Sequence, residues 1–256
     1  MNTIIGIIGL GRLGSALALG IDRSGHTGGL CAFNRSASKA EAVAAQVPRL
    51  RLCSSAAEVL RQCDLVFIWT KPPDTLEILE TNKDLIRQRR PLIVTCVIGV
   101  PLAQFTDRWA ECLPNVNMAV CKGVTALNCA PTLGESDRRL VFDTLAFVGS
   151  VYVLPPEEIP IYSALCSCGP ALYVTMMELL ADTLATRRGY DREFCRHMVR
   201  ETMLGTLLLQ ESDEADASEI VARVAHPGGR SEAGVVHLRA TLPPLYEAML
   251  KKMRAW

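Results

Sequence analysis

Residues 1–15 read MNTIIGIIGLGRLGS, and the fold is decided there. Residues 3–8 are β-branched and apolar, broken only by Gly6, which is the composition of a strand buried on both faces. Gly9, Gly11 and Gly14 follow in G-x-G-x-x-G spacing, and residues 15–21 are rich in Ala and Leu, as a helix requires. That spacing carries a mechanism only between a strand and a helix. Gly9 then makes the tight turn, Gly11 lets a pyrophosphate approach the backbone, and Gly14 lets the helix pack close to the strand. The free N–H groups and positive end of the helix, at Arg12, Leu13 and Gly14, hold the phosphates. A chance cluster of glycines is the bland alternative, and the flanking strand and helix argue against it.

Outward from this stretch, the second strand is expected at residues 29–33 (GLCAF). An NAD-binding chain of this kind places Asp or Glu at the end of that strand for the ribose 2′-hydroxyl, and an NADP-binding chain omits it and often supplies Arg. Here the residues are Asn34, Arg35 and Ser36, and the first carboxylate is Glu41, inside the next helix. Arg35 matches a 2′-phosphate with its fork and Ser36 adds a hydroxyl, so NADPH (NADP+) is the expected cofactor. A helix at 37–46, a strand at 49–53 and a helix capped by Ser54 or Ser55 follow. Residues 64–69 (DLVFIW) form a buried strand that runs into Thr70, Lys71 and Pro72. The next strand, 91–96, leads to Gly99. Ligands sit at the carboxyl ends of strands in an open α/β sheet, so these residues are assigned to the cofactor as well. Strands alternating with helices predict a parallel, doubly wound sheet of Rossmann type.

Past Cys112 come two short apolar runs, 116–120 and 123–127, then a helix at 135–147 and a last strand at 150–154. Pro155 and Pro156 mark a boundary. The expected organisation is a dinucleotide-binding domain, 1–154, and an all-α domain, 155–256, for substrate and dimerisation. Residues 171–187 and 194–209 are apolar on nearly every helical face, and a domain of about 100 residues buries little by itself, so a second subunit is expected to cover them. Met176 and Met177 read as packing residues rather than a cofactor cage.

Composition narrows the function. Of 256 residues, 49% are hydrophobic and 21% charged, with a formal net charge of zero and no basic stripe, so neither nucleic acid nor an anionic membrane is expected as partner. Ten cysteines are scattered without zinc spacing, which suggests reduced, buried thiols, a cytoplasmic location and no metal. The apolar N-terminus lacks a basic flank and is interrupted by Arg12, unlike a signal peptide, and no run is long enough to span a bilayer. Near the C-terminus, His226-Pro-Gly228-Gly229-Arg230-Ser231 opens a helix and forms either an anion site or a turn capped by Ser231.

Taken together these residues resemble the pyrroline-5-carboxylate reductase family over nearly the whole chain. The resemblance runs through the glycine loop, Lys71-Pro72, Gly99-Val100, Pro114-Asn115, residues 123–127, Cys168-Gly169-Pro170-Ala171 and Pro227-Gly228-Gly229 with Ser231. It implies NADPH-dependent reduction of a cyclic imine, 1-pyrroline-5-carboxylate, to L-proline. It assigns the substrate to Asn115, His226, Gly228, Gly229, Arg230 and Ser231, with the Ser231 hydroxyl against the imine nitrogen as the catalytic contact. It also implies a homodimer through the helical domain, in some members a ring of dimers, with both subunits lining the active site. The chain departs from the family pattern at Ala56, where Asn is usual, at Val97 and Ile98, where small residues are usual, and at Glu111, where a basic residue is usual. Val116-Asn117, His226 and Arg230 depart as well. A reductase of a different imine or ketone, and a non-catalytic NADPH-binding protein, are the two rival readings.

Overall fold

The structure, a computed structural model, describes residues 3–97, 99–155, 158, 162–214 and 216–254. It divides into two compact units, residues 1–170 and 171–256. Pro156 and Ile98 lie outside the described residues.

The first unit is built on eight strands: β1 (Ile5–Ile8), β2 (Leu30–Phe33), β3 (Leu50–Leu52), β4 (Leu65–Ile68), β5 (Leu92–Thr95), β6 (Trp109–Leu113), β7 (Gly123–Cys129) and β8 (Gly149–Val153). They lie in the order β3-β2-β1-β4-β5-β6-β7-β8. All neighbours are parallel except β6 and β7. Six helices belong to this sheet: α1 (Arg12–Arg23), α2 (Ala37–Ala44), α3 (Ala56–Gln62), α4 (Pro72–Thr81), α5 (Lys83–Arg89) and α6 (Glu135–Ala146). Side chains alternate across a strand, so adjacent residues enter opposite cores. Ile7, Phe67 and Val94 pack with Leu17 and Ile21 of α1, while Ile8, Val66, Ile68 and Ile93 pack with Val59 and Leu60 of α3, Leu79 of α4 and Ile86 of α5. Both faces are covered, which is why these strands read as unbroken apolar runs.

The parallel, doubly wound sheet expected from the sequence is present through β5. Beyond it β6 is a strand that the sequence pattern did not show. Its residues WAECL alternate half-buried and buried positions, with Glu111 in the middle. The apolar run Val116–Val120 is a 3-10 helix, and it turns the chain so that β7 runs antiparallel to β6. The cap of α3 is Ser55, whose hydroxyl accepts the Glu58 N–H at 3.1 Å, while Ser54 donates to the Glu58 carboxylate.

The second unit holds α7 (Gly169–Arg188) from Ala171 onward, α8 (Arg192–Asp213), α9 (Ala217–Val224) and α10 (Arg230–Lys252). Asp191 caps α8, and an Asp216–Glu219 capping box starts α9. Its buried apolar cluster is small: Ala181, Cys195 and Val199, with Met177 and Ala185 packed against it. Leu179, Leu207 and Leu245 are each more than 60% exposed. All ten cysteines are free thiols. Among the described residues no helix is long and apolar enough to cross a membrane.

Candidate cofactor and substrate sites

Strand order reverses direction of growth between β1 and β4, and the glycine loop lies there. Gly9 has φ +103°, and a Cβ on it would stand 2.6 Å from the Trp69 carbonyl oxygen. A Cβ on Gly14 would stand 2.0 Å from the Gly9 carbonyl oxygen, so α1 packs against the loop only because neither residue has a side chain. Gly11 caps α1 without a side-chain hydrogen bond, no acidic residue enters the first turn, and a Cβ at Gly11 would meet nothing within 4 Å. The first helical N–H groups, at Arg12, Leu13 and Gly14, therefore lack intrahelical acceptors, and the space above Gly11 is open. A tight turn, a bare helix start and room above it fit the diphosphate of a dinucleotide.

The end of β2 lies beside this loop. The Asn34 side chain accepts the Leu10 N–H at 2.9 Å and donates to the Ser36 carbonyl at 2.9 Å, so it braces the loop against β2. Arg35 is 83% exposed and pairs with Asp74 of α4 at 3.1 Å. Ser36 caps α2, its hydroxyl 3.1 Å from that of Ser38. Ala56 starts α3 and is buried, with no polar side-chain atom to offer.

At the ends of β4 and β5, Thr70 shares a 2.8 Å hydrogen bond with the buried Thr75. Lys71 is exposed at the cap of α4. Pro72 and Pro73 supply no N–H, so this helix start, unlike that of α1, has few free donors. Gly99 has φ +83°, and its N–H donates to a Glu111 carboxylate oxygen at 3.4 Å. Burial pushes the Glu111 carboxyl above its usual range, against the opposing pull of the Gly99 N–H and the Asn128 side chain. Trp69, which the sequence reading absorbed into a strand, stands at the centre of this edge, nearly fully buried. A strand-ending tryptophan beside a glycine loop was the available signal, because indole carries a donor that needs a partner.

Asn115 is buried, and its side chain is fully engaged. It accepts the N–H groups of Asn117 (3.2 Å) and Val124 (3.3 Å) and donates to the Cys166 carbonyl (3.1 Å). It organises the segment between β6 and β7. In the second unit, His226, Gly228, Gly229, Arg230 and Ser231 come together at the start of α10. Gly228 has φ +74°, the Gly229 N–H donates to the His226 carbonyl at 2.9 Å, and Glu232 accepts the Gly228 N–H at 2.6 Å. The cap of α10 is Gly229, without a side-chain bond, so Ser231 is the second helical residue and not the cap that was one reading of the sequence. Its hydroxyl is exposed beside the free N–H groups of a 23-residue helix.

Residues 156–255 match the family model described as pyrroline-5-carboxylate reductase dimerisation, and residues 4–99 match one described as NADP oxidoreductase coenzyme F420-dependent. The pyrroline-5-carboxylate reductase of Aquifex aeolicus is 25% identical over 91% of this chain and 88% of its own. A solved pyrroline-5-carboxylate reductase from Coxiella burnetii superposes with a TM-score of 0.88 at 22% identity, covering all of this chain and 98% of that one. The Plasmodium falciparum pyrroline carboxylate reductase, solved with NADP bound, gives 0.79 at 22% identity over 99% and 98%. Both halves of the chain are thus matched, the second by the pyrroline-5-carboxylate reductase dimerisation family and the whole by the fold of solved pyrroline-5-carboxylate reductases.

Proposed function

We propose that this protein is an NADPH-dependent reductase of 1-pyrroline-5-carboxylate, producing L-proline. The observation that carries the reading is the bare, positively polarised start of α1 behind Gly9 and Gly11, in a chain similar along its length to reductases of that name. Bound NADPH supplies the hydride that the imine carbon accepts, while the ring nitrogen keeps one proton and becomes a secondary amine. The N–H groups of Arg12, Leu13 and Gly14 receive the diphosphate. Arg35 exchanges Asp74 for the 2′-phosphate, joined by Ser36, and Asn34 holds the loop in place. Thr70, Lys71, Pro72 and Gly99 border the nicotinamide half.

At the start of α10, the N–H groups around Gly229 to Ser231 receive the substrate carboxylate, and the Ser231 hydroxyl touches the imine nitrogen. His226, Gly228 and Arg230 shape that turn, and Asn115 acts by anchoring its own segment. A protonated imine is already electrophilic, so orientation and proximity supply most of the acceleration. The functional division falls at 154/155, the assembly is a homodimer through the helical part that extends to a ring of dimers, and the enzyme works in the cytoplasm.

Glu111, His226 and Arg230 favour a second reading, a different imine on the same frame. The test is loss of reduced-nicotinamide absorbance with a panel of cyclic imines. Turnover of pyrroline-5-carboxylate with NADPH is expected. Turnover of another imine alone supports the second reading, and cofactor binding without turnover of any imine sinks both.

A further inference from the structure

The carboxyl end of β4 carries a buried donor with no partner among the described residues. Trp69 follows Ile68, its backbone N–H donates to the Ile8 carbonyl of β1 at 2.8 Å, and its own carbonyl abuts Gly9. It therefore occupies the point where the sheet reverses, on the side of the glycine loop away from β2 and Arg35. The ring sits edge-on to Phe67, centroids 5.3 Å apart, in the apolar cluster against which the half-buried Leu13 and Cys96 pack. Its Nε1–H is buried and has no acceptor among the described residues. Phenylalanine would fill the same kind of apolar space without stranding a donor, and buried donors in folded proteins are almost always paired. A stranded donor at a ligand-facing edge is accounted for when its acceptor arrives with the ligand.

We infer that Trp69 contacts the nicotinamide half of the bound dinucleotide, its indole N–H donating to an oxygen of that half. The inference rests on the reading of the chain as an NADPH-dependent reductase. Arg35 and Ser36 commit the adenine half to the β2 side, so the part that crosses Gly9 toward β4 and β5 is the nicotinamide half. The donor lies beneath the surface, so engaging it requires the side chains above it to shift.

The test uses the full-length protein with its three tryptophans labelled at the indole nitrogen, the signals being assigned with Trp69→Phe, Trp109→Phe and Trp256→Phe. NADPH is compared with 2′-phospho-ADP-ribose, which keeps the adenine half and diphosphate and lacks nicotinamide. The Trp69 N–H signal is expected to move downfield with NADPH and to stay in place with the truncated nucleotide. Trp69→Phe should weaken NADPH binding roughly 2- to 12-fold, the effect of one hydrogen bond, and leave the truncated nucleotide unchanged. A Trp69 signal that ignores NADPH, or moves equally with both nucleotides, overturns the inference. If Trp69→Phe fails to fold, the wild-type spectrum, assigned through the other two variants, still decides. A wild type that binds neither nucleotide overturns the reductase reading itself.

Discussion

Arg35 and Asp74 form an exposed pair, and such pairs contribute about 0–1 kcal/mol, so a 2′-phosphate outcompetes the carboxylate with charge-assisted bonds of about 1.5–3 kcal/mol. Arg35→Ala should therefore raise the Michaelis constant for NADPH by roughly 10- to 150-fold and hardly alter that for NADH, as read by steady-state kinetics with both cofactors. For Ser231, position removes the capping role. Because Gly229 is the cap of α10, Ser231→Ala has no cap to remove. Its melting temperature should stay near wild type while turnover falls roughly 5- to 150-fold through loss of one contact to the imine nitrogen. Unchanged turnover would move that contact to Arg230 or His226.

Glu111 supplies a pH signature. Burial raises its folded pKa above the unfolded value, so its stabilising contribution is fully present below the unfolded pKa and is lost as pH rises through the folded one. Glu111→Gln should consequently raise the melting temperature more at neutral pH than in the acid range where the wild-type carboxyl is protonated. An equal shift at both pH values would show that the charge is not the cause. These residues were unequally legible. The place of Asn34, Arg35 and Ser36 at the end of β2 was readable because an apolar run marks where the strand stops. The bonds that Asn34 and Asn115 make were not, because sequence shows that an amide bonds but not which backbone groups it will reach. Trp69 read as core because apolar periodicity counts its ring and ignores its N–H.

At the scale of elements, β1 to β5 and their helices were legible because both faces of the sheet are covered, and unbroken apolar runs followed by helical periods leave few alternatives. β6 was hidden because Glu111 interrupts it and its partner β7 runs the other way, an arrangement that local pattern does not encode. The β1–α1 corner is the tightest joint, with the site of a Gly14 Cβ 2.0 Å from the Gly9 carbonyl. Gly14→Ala forces α1 off the strand. Overpacking of this kind costs about 1–3 kcal/mol, and the displaced helix start should lose NADPH affinity along with stability. Calorimetric melting and nucleotide titration of one preparation check both. A variant that binds normally would mean that the corner yields elsewhere.

For the whole molecule, residues 162–170 group with the sheet unit even where the proposed function divides the chain at 154/155. Tyr162 and Ala164 are buried, and Asn115 donates to the Cys166 carbonyl. A fragment ending at 170 should melt higher than one ending at 154, since a stranded Asn115 donor alone costs about 1–3 kcal/mol. Equal melting temperatures would place the boundary at 154/155. In the helical unit, Ala181, Cys195 and Val199 are a small core for four helices, while Leu179, Leu207 and Leu245 face outward. Sedimentation of the full chain should show a dimer at all concentrations where it is active. An active monomer would end that expectation.

The outward leucines of the helical unit also make folding a bimolecular matter. If two chains must meet before those side chains leave water, the melting temperature climbs with protein concentration by mass action, whereas that of the sheet fragment does not. Dilution then acts as a denaturant, and the pool of working enzyme in a cell scales more steeply than its expression level. Mixing two affinity-tagged forms of the chain would expose this directly, because subunits that need each other exchange partners at the rate at which they come apart.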